Sequence, residues 1–155
     1  MRVVVQRVSR AAVAIAGREC ARIDGGLLVL LGVGPGDGEA VAERLAARVV
    51  TLRVFADDAG RMNLDLLQVG GAMLVVSQFT LFGDASRGHR PSFLGAGPPG
   101  LGRDLCDLFV EAVRRRGVAA STGRFGAHME VDLTNDGPVT LVLSSGEDGW
   151  TTDAG

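Results

Sequence analysis

The sequence contains no lysine and no tyrosine; its basic residues are all arginine. With the Ala and Gly excess, this fits the coding bias of a GC-rich genome and excludes no function class by itself. There is no run of about 18 apolar residues, so no membrane span is expected. The start, MRVVVQRVSR, enters a strand-like pattern at once and lacks the apolar stretch and cleavage site of a secretory signal. Cysteine is scarce. Cys20 and Cys106 lie far apart with no Cys-x-x-Cys, so a disulfide framework is excluded and buried thiols in a reduced, cytoplasmic setting are expected. Only two histidines join those cysteines, an inventory that argues against zinc or another metal site. The formal net charge is −2, which argues against an extended phosphate-binding surface, DNA included. Gly-x-Ser-x-Gly, Walker and His-Glu-x-x-His motifs are all missing.

What is present suits a folded domain. The chain has 155 residues, 46% hydrophobic and 22% charged, enough for one sizeable core. Residues 1–34 read as β structure: Val3, Val5, Val13 and Ile15 alternate with their neighbours, Gly17 and Gly25-Gly26 mark turns, and Leu27–Val33 reads as a buried strand. Asp37 is placed to cap a helix over about 39–54, with Val41, Leu45, Val49 and Leu52 at helical spacing. Asp57-Asp58-Ala59-Gly60 reads as a turn, and Ala72–Ser77 as a second buried strand. Residues 83–100 form a long loop rich in Gly, Pro and Ser, a length usually tied to function or mobility. Pro98-Pro99 opens a second helix, about 99–116, which Gly117 can end. His128–Thr134 and Val139–Leu143 read as strands around an Asn135-Asp136-Gly137-Pro138 turn. Residues 145–155 read as a polar, frayed tail outside a single domain over 1–144. Together these predict an α+β fold: a mainly antiparallel, barrel-like sheet core with two amphipathic helices packed on it.

Gly32-Val33-Gly34 fails the dinucleotide fingerprint, because its third glycine would fall at Asp37; it reads as a strand-to-helix turn. Arg87-Gly88-His89-Arg90 is a basic stretch of the long loop, suited either to phosphate contact or to plain solvation. His128 reads as structural or exposed. Arg114-Arg115-Arg116 is explained by the helix dipole, with tRNA backbone contact as the alternative. Two segments carry more chemistry. Ser77-Gln78-Phe79-Thr80-Leu81 leaves a buried strand with two hydroxyls and an amide. It offers Thr80 as a nucleophile, or the backbone N–H groups of Phe79 and Thr80 as an oxyanion site. Asn135-Asp136-Gly137-Pro138-Val139-Thr140 is composed like a hairpin turn, and its Gly-Pro bond is open to either isomer.

These segments, taken in order with Val5-Gln6-Arg7-Val8, Gly26–Val33, Gly60-Arg61-Met62-Asn63-Leu64, Arg90-Pro91-Ser92-Phe93 and Thr122–Ala127, resemble the D-aminoacyl-tRNA deacylases over Met1 to about Leu143. The resemblance implies hydrolysis of the ester joining a D-amino acid to the terminal ribose of tRNA, and removal of glycine mischarged on tRNA-Ala, with no cofactor. It implies a cis Gly137-Pro138 peptide that enters the site of the partner in a homodimer and turns away L-substrates, with Arg7 as its support. It assigns Phe79 and Thr80 to catalysis through main-chain positioning, and Ser77, Gln78 and Met129 to substrate binding. Only the acceptor end of the tRNA need be held, which suits the near-neutral charge. A non-catalytic binding module, and a related deacylase with a trans Gly-Pro bond that corrects misacylated L-alanine, are the alternatives.

Overall fold

A computed structural model describes residues 1–146 and 149–151. β1 (Arg2–Ile15), β2 (Arg18–Ile23) and β3 (Gly26–Gly32) come first, then α1 (Glu39–Val50). A short ribbon of β4 (Phe55–Ala56) and β5 (Met62–Leu64) follows, turned by Asp57 through Gly60. β6 (Ala72–Ser77) runs into a 3-10 turn at Phe79–Phe82. Beyond the long loop come α2 (Pro99–Arg115), β7 (Ala120–Thr122), β8 (Glu130–Gly146) and β9 (Gly149–Thr151). Among the described residues no helix is long and apolar enough to cross a membrane.

The seven-stranded sheet has the order β7-β6-β3-β1-β8-β9, with β2 also on β1. It is mixed, which corrects the mainly antiparallel expectation. β1 pairs antiparallel with β2, β3 and β8, but β3–β6 and β6–β7 are parallel. The cause is connectivity: α1 carries the chain from β3 to β6 and α2 carries it from β6 to β7, and such crossovers return a strand in the same direction. The long β1 shifts register around Val8, pairing with β3 before that point and with β2 after Ala11. β2 thereby comes to lie against β6 and β7, and the sheet curls toward a barrel.

That curl explains the unbroken apolar runs. Leu27, Val29 and Leu31 of β3 and Met73 and Val75 of β6 face the helices, where Leu45, Val49, Leu105 and Phe109 complete the main core. Leu28, Leu74 and Val76 face the other way into a smaller core with Val8, Val13 and Ile23. Strands buried on both faces carry no polar alternation. Each fully buried large side chain contributes about 1.5–3 kcal/mol. The close β3–β6 approach depends on Gly26: at φ +155°, a Cβ there would sit 1.9 Å from the Ala72 carbonyl oxygen.

Both helices end a little earlier than expected, and Gly117 follows α2 at φ +87°. Asp37 does not cap α1; Gly38 is the N-cap residue, without a side-chain cap. The Asp37 carboxylate instead takes the Gly34 N–H at 2.6 Å and pairs with the Met1 ammonium. Arg115 and Arg116 reach Glu43 and tie α2 to α1, so the Arg114–Arg116 run is structural. Cys106 is buried but Cys20 is exposed, on the strand-turn side of β2, contrary to the expectation for both thiols.

The largest departure concerns residues 130–146. No hairpin forms at Asn135–Pro138; β8 is one strand, antiparallel to β1 throughout. The register passes from Gln6↔Thr140 to Val8↔Asn135, so the excess residues bulge out opposite Arg7. The segment expected as a frayed tail begins as strand, with β9 paired to β8 from Ser144 to Gly146. Residues 147–148 and 152–155 of that tail lie outside the described residues.

Candidate active site

The parallel strands β3, β6 and β7 all point their C-terminal ends toward one cleft of about 570 Å³. Sites in parallel sheets gather at such ends, because the loops leaving them converge there. Leu31 and Val33 come from the end of β3, and Val76, Ser77, Gln78 and Phe79 from the end of β6. The segment after β7 supplies Phe125 through Met129, and the long loop supplies Phe93, Ala96 and Gly97.

The walls are fixed by short-range packing. The Gly97 N–H donates to the Val33 carbonyl at 2.8 Å and ties the long loop to β3. The Phe93 ring meets Phe79 edge-on, with centroids 5.3 Å apart and planes at 74°. Phe82 packs where Gly32 and Gly34 leave room for its ring. Arg2 stacks over Phe82 at 4.8 Å and donates to the Leu81 carbonyl at 3.0 Å, fixing the far end of the 3-10 turn. Cys106 sits in the cleft wall, where burial pushes its thiol up to about 12.

Of the site residues read from sequence, Ser77, Gln78, Phe79 and Met129 line this cleft. Thr80 is exposed just beyond it, and its hydroxyl accepts a hydrogen bond from the Gln78 amide. Phe79 and Thr80 open the 3-10 turn, so their N–H groups have no carbonyl partner within it. The Gln78 N–H is already used, bonded to the Leu31 carbonyl at 2.8 Å. His128, expected as structural or exposed, is exposed and borders the cleft. Phe93, Gly97 and Phe125 were not singled out individually. Phe93 and Phe125 lie in the Arg90–Phe93 and Thr122–Ala127 segments, and Gly97 only in the long 83–100 loop.

Arg7, Gly137 and Pro138 form a second group that does not line this cleft. Arg7 pairs with Leu27 of β3, opposite Met73 of β6, four residues before Ser77. At about 3.3 Å per residue, that is roughly 13 Å along the strands. The Arg7 side chain is largely covered and forked. Nε donates to the Asp136 carbonyl at 3.0 Å and Nη1 to the Val54 carbonyl at 2.5 Å, with the Asp136 carboxylate 3.3 Å away. Asn135 closes the base of the bulge, accepting from the Val139 N–H at 2.8 Å and donating to Thr140 Oγ1 at 3.0 Å. Gly137 has φ +132°, and a Cβ there would lie 2.8 Å from Val139 Cγ2 and 2.9 Å from Arg7 Nη2. The Gly137–Pro138 peptide is cis, as the resemblance implied, and both residues are exposed.

Fold and cleft together define a small α+β protein with an apolar cleft at the ends of its parallel strands and main-chain donors at the lip. A family model described as D-Tyr-tRNA(Tyr) deacylase matches residues 4–144, and the chain belongs to that family. It is 56% identical over 145 residues to a D-aminoacyl-tRNA deacylase of Roseiflexus sp. (strain RS-1), covering 94% of each chain. The D-aminoacyl-tRNA deacylase of Thermomicrobium roseum is 54% identical over 147 residues, 95% of this chain and 96% of its own. Among solved structures, one described as a c-Myc DNA unwinding element binding protein is 36% identical. It superposes with a TM-score of 0.88 over 94% of this chain and 99% of its own. A probable eukaryotic D-amino acid tRNA deacylase, 17% identical at a TM-score of 0.79, shares the fold over 91% of this chain and 97% of its own.

Proposed function

We propose that residues 1–144 form a deacylase domain that hydrolyses the ester of D-aminoacyl-tRNA in the cleft at Ser77–Thr80. The products are the free D-amino acid and tRNA. Membership of the deacylase family supports the reaction, and the observation that carries its location is the 3-10 turn that begins at the cleft-lining Phe79, its first N–H groups without a carbonyl partner inside the turn. An aminoacyl ester is already activated, so a modest catalyst suffices. Water adds to the ester carbonyl, the Phe79 and Thr80 N–H groups stabilise the oxyanion, and the ribose oxygen departs as a hydroxyl. The terminal 2′-hydroxyl of the tRNA assists the attacking water. Thr80 positions substrate and forms no acyl-enzyme, since its hydroxyl accepts from the Gln78 amide and, among the described residues, no basic side chain is bonded to it. Ser77, Gln78 and Met129 hold the acceptor end.

The same reading makes the protein a cytoplasmic homodimer. Gly137 and Pro138 stand exposed on a braced bulge away from their own cleft, which suits insertion into the partner's. There the bulge backbone excludes an L-side chain, while glycine, with none, is also hydrolysed. The resemblance to a protein named for DNA binding favours one second reading, nucleic-acid binding without turnover. Deacylation assays on D-, L- and glycyl-tRNA separate the two. Release of D-amino acids and glycine with L-esters spared is expected, and binding without release would overturn the esterase. A species of about 32 kDa, twice the 16.1 kDa chain, is expected on sedimentation.

A further inference from the structure

We propose that Arg87, Arg90, Arg103 and Arg124 form a cationic rim around the cleft that grips the backbone phosphates of the single-stranded 3′ end of the substrate tRNA. This rests on the deacylase reading and adds to it the part of the substrate that lies outside the cleft. The protein as a whole is slightly acidic, at −2. Of its 16 arginines, seven are ion-paired. Arg7, Arg10, Arg22, Arg61, Arg114, Arg115 and Arg116 all have carboxylate partners. Among the described residues, none of the four rim arginines has one, and all four are exposed.

Each is tied to a wall of the cleft. Arg103 lies over the Phe125 ring at 5.7 Å, and Phe125 lines the cleft. Arg124 is its chain neighbour. In the long loop, the Asp84↔Ser92 bridge holds Arg87 and Arg90 between its ends. Phe93, next after the bridge, lines the cleft and packs on Phe79. Asp84 is engaged within its own loop: the Ser86 hydroxyl first, and then the Ser86 N–H at 2.9 Å, hold its carboxyl below the usual range. Among the described residues no Asp or Glu lines the cleft. The four rim guanidiniums are therefore free of ion pairs among the described residues, in the planar form that suits phosphate oxygens. A substrate whose ester sits in the cleft must lead its polynucleotide out across this rim.

The test compares D-aminoacyl-tRNA with D-aminoacyl-adenosine, which has no internucleotide phosphate, over a salt series. Each phosphate contact to a single strand contributes about −0.7 to the slope of log affinity against log salt. The double variants Arg87→Ala/Arg90→Ala and Arg103→Ala/Arg124→Ala should each flatten the slope for tRNA by about 1.4. Each should raise KM for tRNA by about tenfold or more and affect D-aminoacyl-adenosine much less. Arg44→Ala/Arg48→Ala, on the exposed side of α1 and equally without carboxylate partners, should keep the parent slope. Rim variants with the parent's slope, or equal losses on both substrates, would overturn the rim. Parent protein inactive on both substrates would overturn the deacylase reading instead. The salt slope of tRNA binding without turnover would then still decide the rim.

Discussion

The cleft and the Gly137–Pro138 bulge are built in opposite ways. The cleft is made by topology: three parallel strands stop at one end of the sheet, and loops from far along the chain close over it. The bulge is made by register: β8 holds more residues than β1 can pair, and the surplus is pushed out. One region offers apolar volume and free main-chain donors, but no rigid feature that reads the hand of a substrate. The other is exposed, and braced by Arg7 and Asn135. On the homodimer proposed above, these are two halves of a site that meet only when two chains associate.

The sharpest way to break this comparison is complementation. Gly137→Ala forces a methyl into 2.8–2.9 Å contacts with Val139 and Arg7, so the bulge must shift. D-ester turnover should fall by about 10²-fold, the usual cost of a misplacement near 1 Å. Phe79→Pro, which deletes a donor N–H, or Met129→Trp, which fills the cleft, should cost at least as much. Co-refolding a bulge variant with a cleft variant should then restore about a quarter of parent activity, since half the dimers are mixed and one site in each is whole. Inactive mixtures of properly formed mixed dimers would place both halves within one chain. Next in size is Arg7→Ala, which removes two hydrogen bonds and an ion pair. It should lower stability by about 1.5–3 kcal/mol in denaturant melts and reduce the D-over-L ratio about tenfold before turnover fails. Arg7→Lys keeps the charge without the fork and should fall between.

The same contrast governs how much was legible in the sequence. Helices, turns at Gly60 and Gly117, and the buried runs of β3 and β6 are local signals, written in spacing and in glycine. Ser77–Phe79, which line the cleft, stand out in the sequence because they follow the end of an apolar run. The partners of a strand are not local. The parallel pairing went unread although each apolar run is followed by a helix and then another run, the pattern of a crossover. Asn135–Pro138 has the composition of a hairpin turn, and only the continued pairing with β1 makes it a bulge. Arg7 stands 129 residues from Asp136, so its bracing role came from the family resemblance alone. Phe93 and Phe125 join the cleft through tertiary packing, which periodicity does not encode.

Thr80 sharpens the cleft side of the comparison. If main-chain donors do the work, Thr80→Ala should stay within about tenfold of the parent, against about 10⁶-fold for loss of a true nucleophile. Mass spectrometry should find no acylated Thr80 during turnover, and a substrate lacking the terminal 2′-hydroxyl should suffer more than the mutant does. An acylated Thr80 would transfer the chemistry from backbone to side chain.

The smallest effect belongs to Cys106, which borders the cleft without a chemical role. Burial pushes its thiol up to about 12 from an ordinary 9.0, so it stays protonated at neutral pH. Cys20 is exposed. A thiol reagent should therefore label Cys20 alone in the native protein and both cysteines after unfolding. The linkage has a definite sign. Because the folded-state value is the higher one, the unfolded chain loses its thiol proton first as pH rises. The neutral buried thiol thus favours the fold fully below about 9, and that advantage is lost progressively as pH climbs toward 12. The melting temperature should fall across this alkaline window, and Cys106→Ala should fall less steeply while losing about 1 kcal/mol at neutral pH. Rapid native labelling of Cys106 would show the cleft wall opening to solvent. The cleft would then no longer be the fixed partner to which the braced bulge is fitted.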